Sequence, residues 1–152
     1  IEPGLYAPTI VSEHKNCFGF RVSSWGRVIE IRDQGKTPNA LCGAALLMPS
    51  WMRFDPLFIH GMEDVEMSLR LQEIGFKIHQ HRNVFAFHKE GKTIPKHSYF
   101  AQKGASFGQM CLFPRHTFFV VSLCVLQVLK EGGDKSDRFL AIVEAFNMFR
   151  QR

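Results

Sequence analysis

The chain has 152 residues, 45% hydrophobic and 22% charged, enough length and apolar content for one sizeable core, and this make-up excludes a disordered chain. Lys plus Arg number 19 against 14 Asp plus Glu, without a dense basic tract; the surplus suits phosphorylated substrates or an acidic membrane surface and gives no reason to expect nucleic acid. The four cysteines, Cys17, Cys42, Cys111 and Cys124, show no C-x-x-C spacing and read as reduced, mostly buried thiols rather than disulfides.

No signal peptide opens the sequence. Its longest apolar run, Phe118 to Leu129, falls short of the roughly 20 residues that a membrane span needs. The first residue is Ile1 rather than Met, in what already reads as strand-and-turn sequence, so a longer parent protein is expected.

In chain order, Leu5 to Val11 is an apolar, β-branched run broken by Pro8, which predicts an edge or entering strand. Cys17 to Val22 and Val28 to Ile31 follow as strands, with Ser23, Ser24 and Gly26 turning between them. A polar loop from Asp33 to Asn39 leads into Ala40 to Met48. That run is apolar throughout and of strand length, so it is expected as a strand covered on both faces. Gly43 within it permits another backbone or a ligand to approach closely. Pro49 and Ser50 allow a short helical turn with Ser50 as its cap, and Phe54 to Ile59 approach the next element.

Gly61 to Glu73, closed by Gly75 and Phe76, predicts a helix that opens on two adjacent acids, Glu63 and Asp64. At about 100° per residue, Glu66, Arg70 and Glu73 share one arc expected to face water. Val65 with Leu69, and Met67 with Leu71 and Ile74, flank the opposite side. Asp64, Ser68 and Gln72 lie between the two apolar flanks, so Asp64 is directed inward. An inward carboxylate is costly unless something satisfies or uses it; its structural explanation is attraction to the helix N-terminus.

Two strands are expected next, Phe76 to His79 and Val84 to His88, joined by a turn at His81, Arg82 and Asn83, with a loop from Lys89 to Lys92. Beyond Pro95 the character is helical. Ser98 to Leu112 is stopped by Pro114, and Thr117 to Lys130 by Gly132 and Gly133. A last helix from about Ser136 places Phe139, Val143, Phe146 and Phe149 on one face, with Arg138, Arg150 and Arg152 around it. The organisation expected is an α/β part, residues 1–95, and a helical extension, residues 96–152, packed on it or on a membrane surface.

A glycine-bearing apolar segment (Cys42-Gly43-Ala44 through Met48), Phe54-Asp55-Pro56-Leu57-Phe58, an acidic pair opening a helix with Arg70, Gly75-Phe76 and a strand ending in His88 occur here in fixed order. The set resembles the C-terminal half of the catalytic domain of family 2 glycosyltransferases, which have the GT-A fold. The resemblance implies a partial GT-A-like domain, α/β with a small mixed sheet. It further implies inverting transfer of a hexosyl or deoxyhexosyl group from a nucleotide-sugar to a hydroxyl of a glycan, lipid-linked or other acceptor. Cell-surface polysaccharide biosynthesis at the cytoplasmic side of a membrane, with peripheral membrane contact, is the matching setting.

In this resemblance Asp64 is the general base and Glu63 orients the acceptor or the helix start. Cys42, Gly43 and Ala44 let donor sugar or acceptor approach the backbone, and His88 helps hold Mg²⁺ or Mn²⁺ beside the diphosphate. The helix N-terminus is expected to favour the ionised form of Asp64 and so to weaken it as a base. The sequence departs from the family in having no Asp-x-Asp motif. The chain is therefore expected to be the acceptor-side half, inactive by itself. Two rival readings stand beside it: a catalytically silent module that docks its C-terminal helices on a membrane or partner, and a metal hydrolase built on His79, His81 and His88.

Overall fold

The computed structural model describes residues 3–13, 15–58, 61–89, 94–95 and 97–151. They are mixed α/β and fall into two compact units. One comprises Ile1–Val22, Val28–Asp55 and Glu63–Lys89; the other comprises Ser23–Arg27, Pro56–Met62 and Glu90–Arg152.

The first unit is built on strand β1 (Gly4–Ser12), which pairs antiparallel with β2 (Lys15–Cys17) and parallel with β5 (Lys77–Phe87) in the order β2-β1-β5. Leu5, Ala7 and Thr9 alternate into the interior, as a half-buried strand requires. β1 is thus central rather than the edge strand expected from Pro8. Proline is tolerated because β2 reaches only Ile10 to Ser12, and the β5 ladder breaks its register between Pro8 and Thr9. A second sheet is the hairpin of β3 (Phe20–Val22) and β4 (Val28–Glu30).

Helix α1 (Glu63–Glu73) follows the expected bounds. Gly75, at φ 89°, ends it in the left-handed conformation; its N–H donates to Gln72 O and that of Phe76 to Leu71 O, the paired bonds of a Schellman motif. Met67 and Leu71 pack with Leu5, Ala7, Leu41 and Met52 as the core of this unit.

Four expectations here are corrected. The stretch 40–48 is not a strand. It makes only isolated bridges, Ala40 with Phe20 and Leu47 with Tyr6, and Gly43, Ala44 and Leu47 are exposed. The two strands expected at 76–79 and 84–88 are one, β5, and the expected turn is a bulge: β1 partners jump from His81 to Phe85, and Thr9 Oγ1 donates to Arg82 O at 3.2 Å. The charged arc of α1 does not all face water. Glu66 is buried, because Arg70 Nε donates to its Oε1 at 2.6 Å while Arg70 Nη2 reaches Arg53 O. Pro49 and Ser50 form a turn and no helix. Ile59 and the loop from residue 90 to 92 lie outside the described residues.

The second unit contains α2 (Tyr99–Leu112), α3 (Thr117–Lys130) and α4 (Lys135–Arg150), with a 3-10 turn at Pro114–His116. Ser98 caps α2 through the Ala101 N–H, and Asp134 caps α4 through those of Ser136 and Asp137. Phe107, Met110, Val120, Cys124, Val128, Ile142 and Ala145 form its core. The buried face of α4 is rotated from the expected one. Arg138, Ala141, Ile142 and Ala145 are buried, Phe139, Phe146 and Phe149 partly so, and Val143 is exposed. Arg138 can lie inside because its guanidinium donates to Gln102 Oε1, Glu131 Oε2 and Gly132 O. Among the described residues no single helix is long and apolar enough to cross a membrane; α2 and the segment Pro114–Lys130 meet that length and composition only together, bent by 109°.

Candidate functional site

Asp64, Ser68 and Gln72, one turn apart along α1, face the extended segment 39–43. Gly43 N–H donates to Asp64 Oδ2 at 2.8 Å, Leu41 N–H to Ser68 Oγ at 3.0 Å, and Gln72 Nε2 to Asn39 O at 2.8 Å. The match is metrical. Two residues of extended chain advance about 6.6 Å and four residues of helix about 6 Å, so every second backbone residue of the segment meets every fourth helix side chain. This is why 40–48 is not a strand: its N–H groups at Leu41 and Gly43 are taken by α1 side chains instead of a ladder.

The clamp leaves Gly43 exposed on one side and pressed on Asp64 on the other; a Cβ at Gly43 would stand 2.9 Å from Asp64 Cβ. Asp64 Oδ1 accepts from the Val65 N–H at 2.8 Å. Two N–H donors therefore stabilise the carboxylate, yet burial outweighs them, and with the neighbouring Glu63 charge it pushes the Asp64 pKa up to about 6. The expectation that the helix N-terminus would make Asp64 a weaker base is thus reversed. An acid with a pKa near 6 is still largely ionised at neutral pH and accepts a proton more readily than an ordinary aspartate.

Glu63 is half-buried, and its Oε2 is buried with no hydrogen-bond partner among the described residues. Met62, immediately before it, holds φ 69°, a left-handed conformation that costs a residue with a side chain about 1–2 kcal/mol. Strain and an acceptor without a partner among the described residues therefore occur on consecutive residues.

Of the residues singled out from sequence, Gly43 and Asp64 are in contact, and Glu63, Cys42 and Ala44 are their chain neighbours. Ala44 is exposed. Cys42 is half-buried beside the thiol of Cys17; the interaction of the two thiols lowers the Cys42 pKa and, together with burial, raises that of Cys17. No disulfide joins any of the four cysteines. His88 lies just past β5, exposed, its N–H donating to Val11 O at 2.9 Å. Among the described residues no three His, Cys, Asp or Glu side chains come together as a metal site. His79, His81 and His88 are therefore not such a group, and His88 has only its own imidazole to offer. Sequence reasoning missed the roles of Ser68 and Cys17; the i, i+4 spacing of Ser68 from Asp64 was the available signal for the first. No family model, curated protein or solved structure matches this chain.

Proposed function

We propose that this chain carries the acceptor-side half of an inverting glycosyltransferase of family 2, with a GT-A-like α/β fold and Asp64 as general base. The observation that supports the reading above others is the Asp64 carboxylate: desolvated, raised to about 6, and set against the exposed Gly43. In such a transfer an acceptor hydroxyl lying along Gly43 gives its proton to Asp64 as its oxygen attacks the anomeric carbon of the nucleotide-sugar and the nucleoside diphosphate leaves. Oε2 of Glu63, which has no partner among the described residues, accepts a second hydroxyl of the acceptor and orients it. A divalent ion, Mg²⁺ or Mn²⁺, belongs to this chemistry as a Lewis acid on the departing diphosphate. The described residues alone do not make its site; His88 supplies one imidazole at most, and no step here is routed through the ion.

The test is Asp64→Asn in the native protein, with transfer and donor binding measured together. Loss of transfer by about three orders of magnitude or more with donor affinity kept is the expected result; transfer within a few-fold of the parent overturns the assignment.

One observation favours a second reading, in which the helical unit docks on an anionic membrane. The outward face of α3 carries Phe118, Leu126 and Leu129, all at least half exposed, together with Phe119 and Ser122, with Arg115 and His116 before the helix, Lys130 at its end and no acid within it. Sedimentation with vesicles containing phosphatidylglycerol, lost on Phe118→Asp and weakened by salt, is expected on this reading; equal binding to neutral vesicles removes it.

A further inference from the structure

The tip of the β3–β4 hairpin belongs to the helical unit: residues Ser23–Arg27 fall in the same compact unit as α2 and α3. The turn is closed on itself, Ser23 N–H donating to Arg27 O at 2.9 Å and Arg27 N–H to Ser23 Oγ at 3.0 Å. It is also fixed to the helices. Gln109 of α2 donates its side-chain amide to Gly26 O, and Gly26, at φ 92°, lies so close to α3 that a Cβ there would stand 2.8 Å from Val120 Cγ2.

This attachment sets Trp25 beside the first turn of α3. Its ring stacks on that of Phe119 with centroids 5.2 Å apart, yet it remains 54% exposed, and Phe118, the chain neighbour of Phe119, is 84% exposed. Large aromatic rings held against water on a fixed backbone mark a surface that something apolar covers. The charges around them have one sign. Arg27 closes the turn, and Arg115 and His116 precede α3; all three are exposed, and neither Ser23–Arg27 nor Pro114–Lys130 contains an acid. The next acid along the chain, Glu131, lies past the opposite end of α3, about 20 Å away at 1.5 Å per residue. Its carboxylate is engaged by Arg138 and His97.

Occupants of such a surface differ in how they treat those charges. A second copy of the chain would cover the rings but set the same cations against each other. A neutral apolar surface would cover the rings and make no use of the cations. An anionic phospholipid bilayer meets both: aromatic rings settle at the boundary between acyl chains and headgroups, and basic side chains are drawn to the phosphates. We propose that the Ser23–Arg27 turn and the first turn of α3 form one anchor for anionic phospholipid, with Trp25 at the headgroup boundary and Arg27 and Arg115 on lipid phosphates. The proposal rests on the membrane reading of the helical unit and extends its contact surface from a helix to a β-turn.

The experiment uses the full chain carrying Trp51→Phe, which leaves Trp25 as its one tryptophan; Trp51 is exposed, and phenylalanine keeps an aromatic edge against Phe76. Vesicles of phosphatidylcholine with and without phosphatidylglycerol are titrated in. Sedimentation, Trp25 emission and its quenching by lipids brominated on the acyl chains are read on the same samples. With phosphatidylglycerol, a blue shift of the emission and quenching by bromine are expected. In the otherwise unaltered chain, Arg27→Gln and Arg115→Gln should each lower vesicle affinity about fivefold, and Trp25→Ala about tenfold or more. All three side chains are exposed, so these variants keep the test valid if Trp51→Phe fails to fold. Sedimentation with unchanged Trp25 emission overturns the anchor and leaves docking through α3 standing. No sedimentation, or equal binding without phosphatidylglycerol, overturns both. A blue shift that grows with protein concentration in the absence of lipid overturns the anchor in favour of a second copy.

Discussion

Replacing Asp64 by Asn tests the character of the site through stability alone, without knowledge of any substrate. The substitution keeps the shape and retains an oxygen to accept the Gly43 N–H, but it removes the charge. Burial is the first cause of the raised Asp64 pKa, so folding strengthens the carboxylate's hold on a proton, whereas unfolding returns it to the ordinary 3.8. The stability contributed by protonation is fully present below about 3.8 and is lost as pH rises through about 6. The difference between 3.8 and about 6, at about 1.36 kcal/mol per pKa unit, sets a ceiling of about 3 kcal/mol. The side chain is partly exposed, and solvent screening lowers the useful figure to about 1–2 kcal/mol. Urea unfolding followed by circular dichroism from about pH 4 to about pH 8 measures it. At the acid end the variant and parent should coincide. At the alkaline end Asp64→Asn should be more stable, its midpoint higher by about 0.5–1 M for a slope near 2 kcal/mol/M. A variant less stable than the parent at about pH 8 would refute the reasoning, because the carboxylate would then be an ionised acceptor stabilised by the helix N-terminus and not a desolvated base.

The clamp around Asp64 makes further demands. Gly43→Ala puts a Cβ 2.9 Å from that of Asp64 and should lower stability by about 1–3 kcal/mol in thermal unfolding, with no comparable loss for Ala44→Gly, whose side chain is exposed. Ser68→Ala leaves the buried Leu41 N–H without its acceptor and should cost about 1–3 kcal/mol by chemical denaturation. In the helical unit, Arg138→Ala strands Gln102 and Glu131 and should cost about 3–5 kcal/mol, whereas Arg138→Met, which fills the space without a charge, should be much milder. Equal losses for the two Arg138 variants would mean that the guanidinium contributes more than its volume.

What could be read from the sequence divides by the range of the interaction responsible. Helix ends are local: Ser98, Pro114, Gly132 and Gly75 act on backbone within a few residues of themselves, and α1, α2 and α3 begin or end close to where those residues predict. Burial of a charge is not local. A helical wheel sorts Glu66 and Arg138 to water by residue type, because it cannot show that Arg70 or Gln102 will stand within hydrogen-bond distance. The apolar run 40–48 misled for a related reason. Counting apolar residues says how much of a segment can be buried, and nothing about where its N–H groups go.

The same distinction applies to the candidate site. The wheel placed Asp64, Ser68 and Gln72 on one line; Ser68 is buried and Asp64 half-buried as expected, whereas Gln72 is exposed, and the line meets Gly43, Leu41 and Asn39 because the helical and extended repeats nearly coincide over this length. The partner segment, however, could be found only in three dimensions, and the partner determines the chemistry. Bringing 39–43 against α1 gives Asp64 a stabilising N–H and at the same time takes away its water. The second effect is the larger, which turns an acid at a helix start, ordinarily a weak base, into one raised to about 6. A helix-dipole argument alone gets the sign wrong, since it counts the charge at the N-terminus and omits the neighbouring segment that excludes solvent from it.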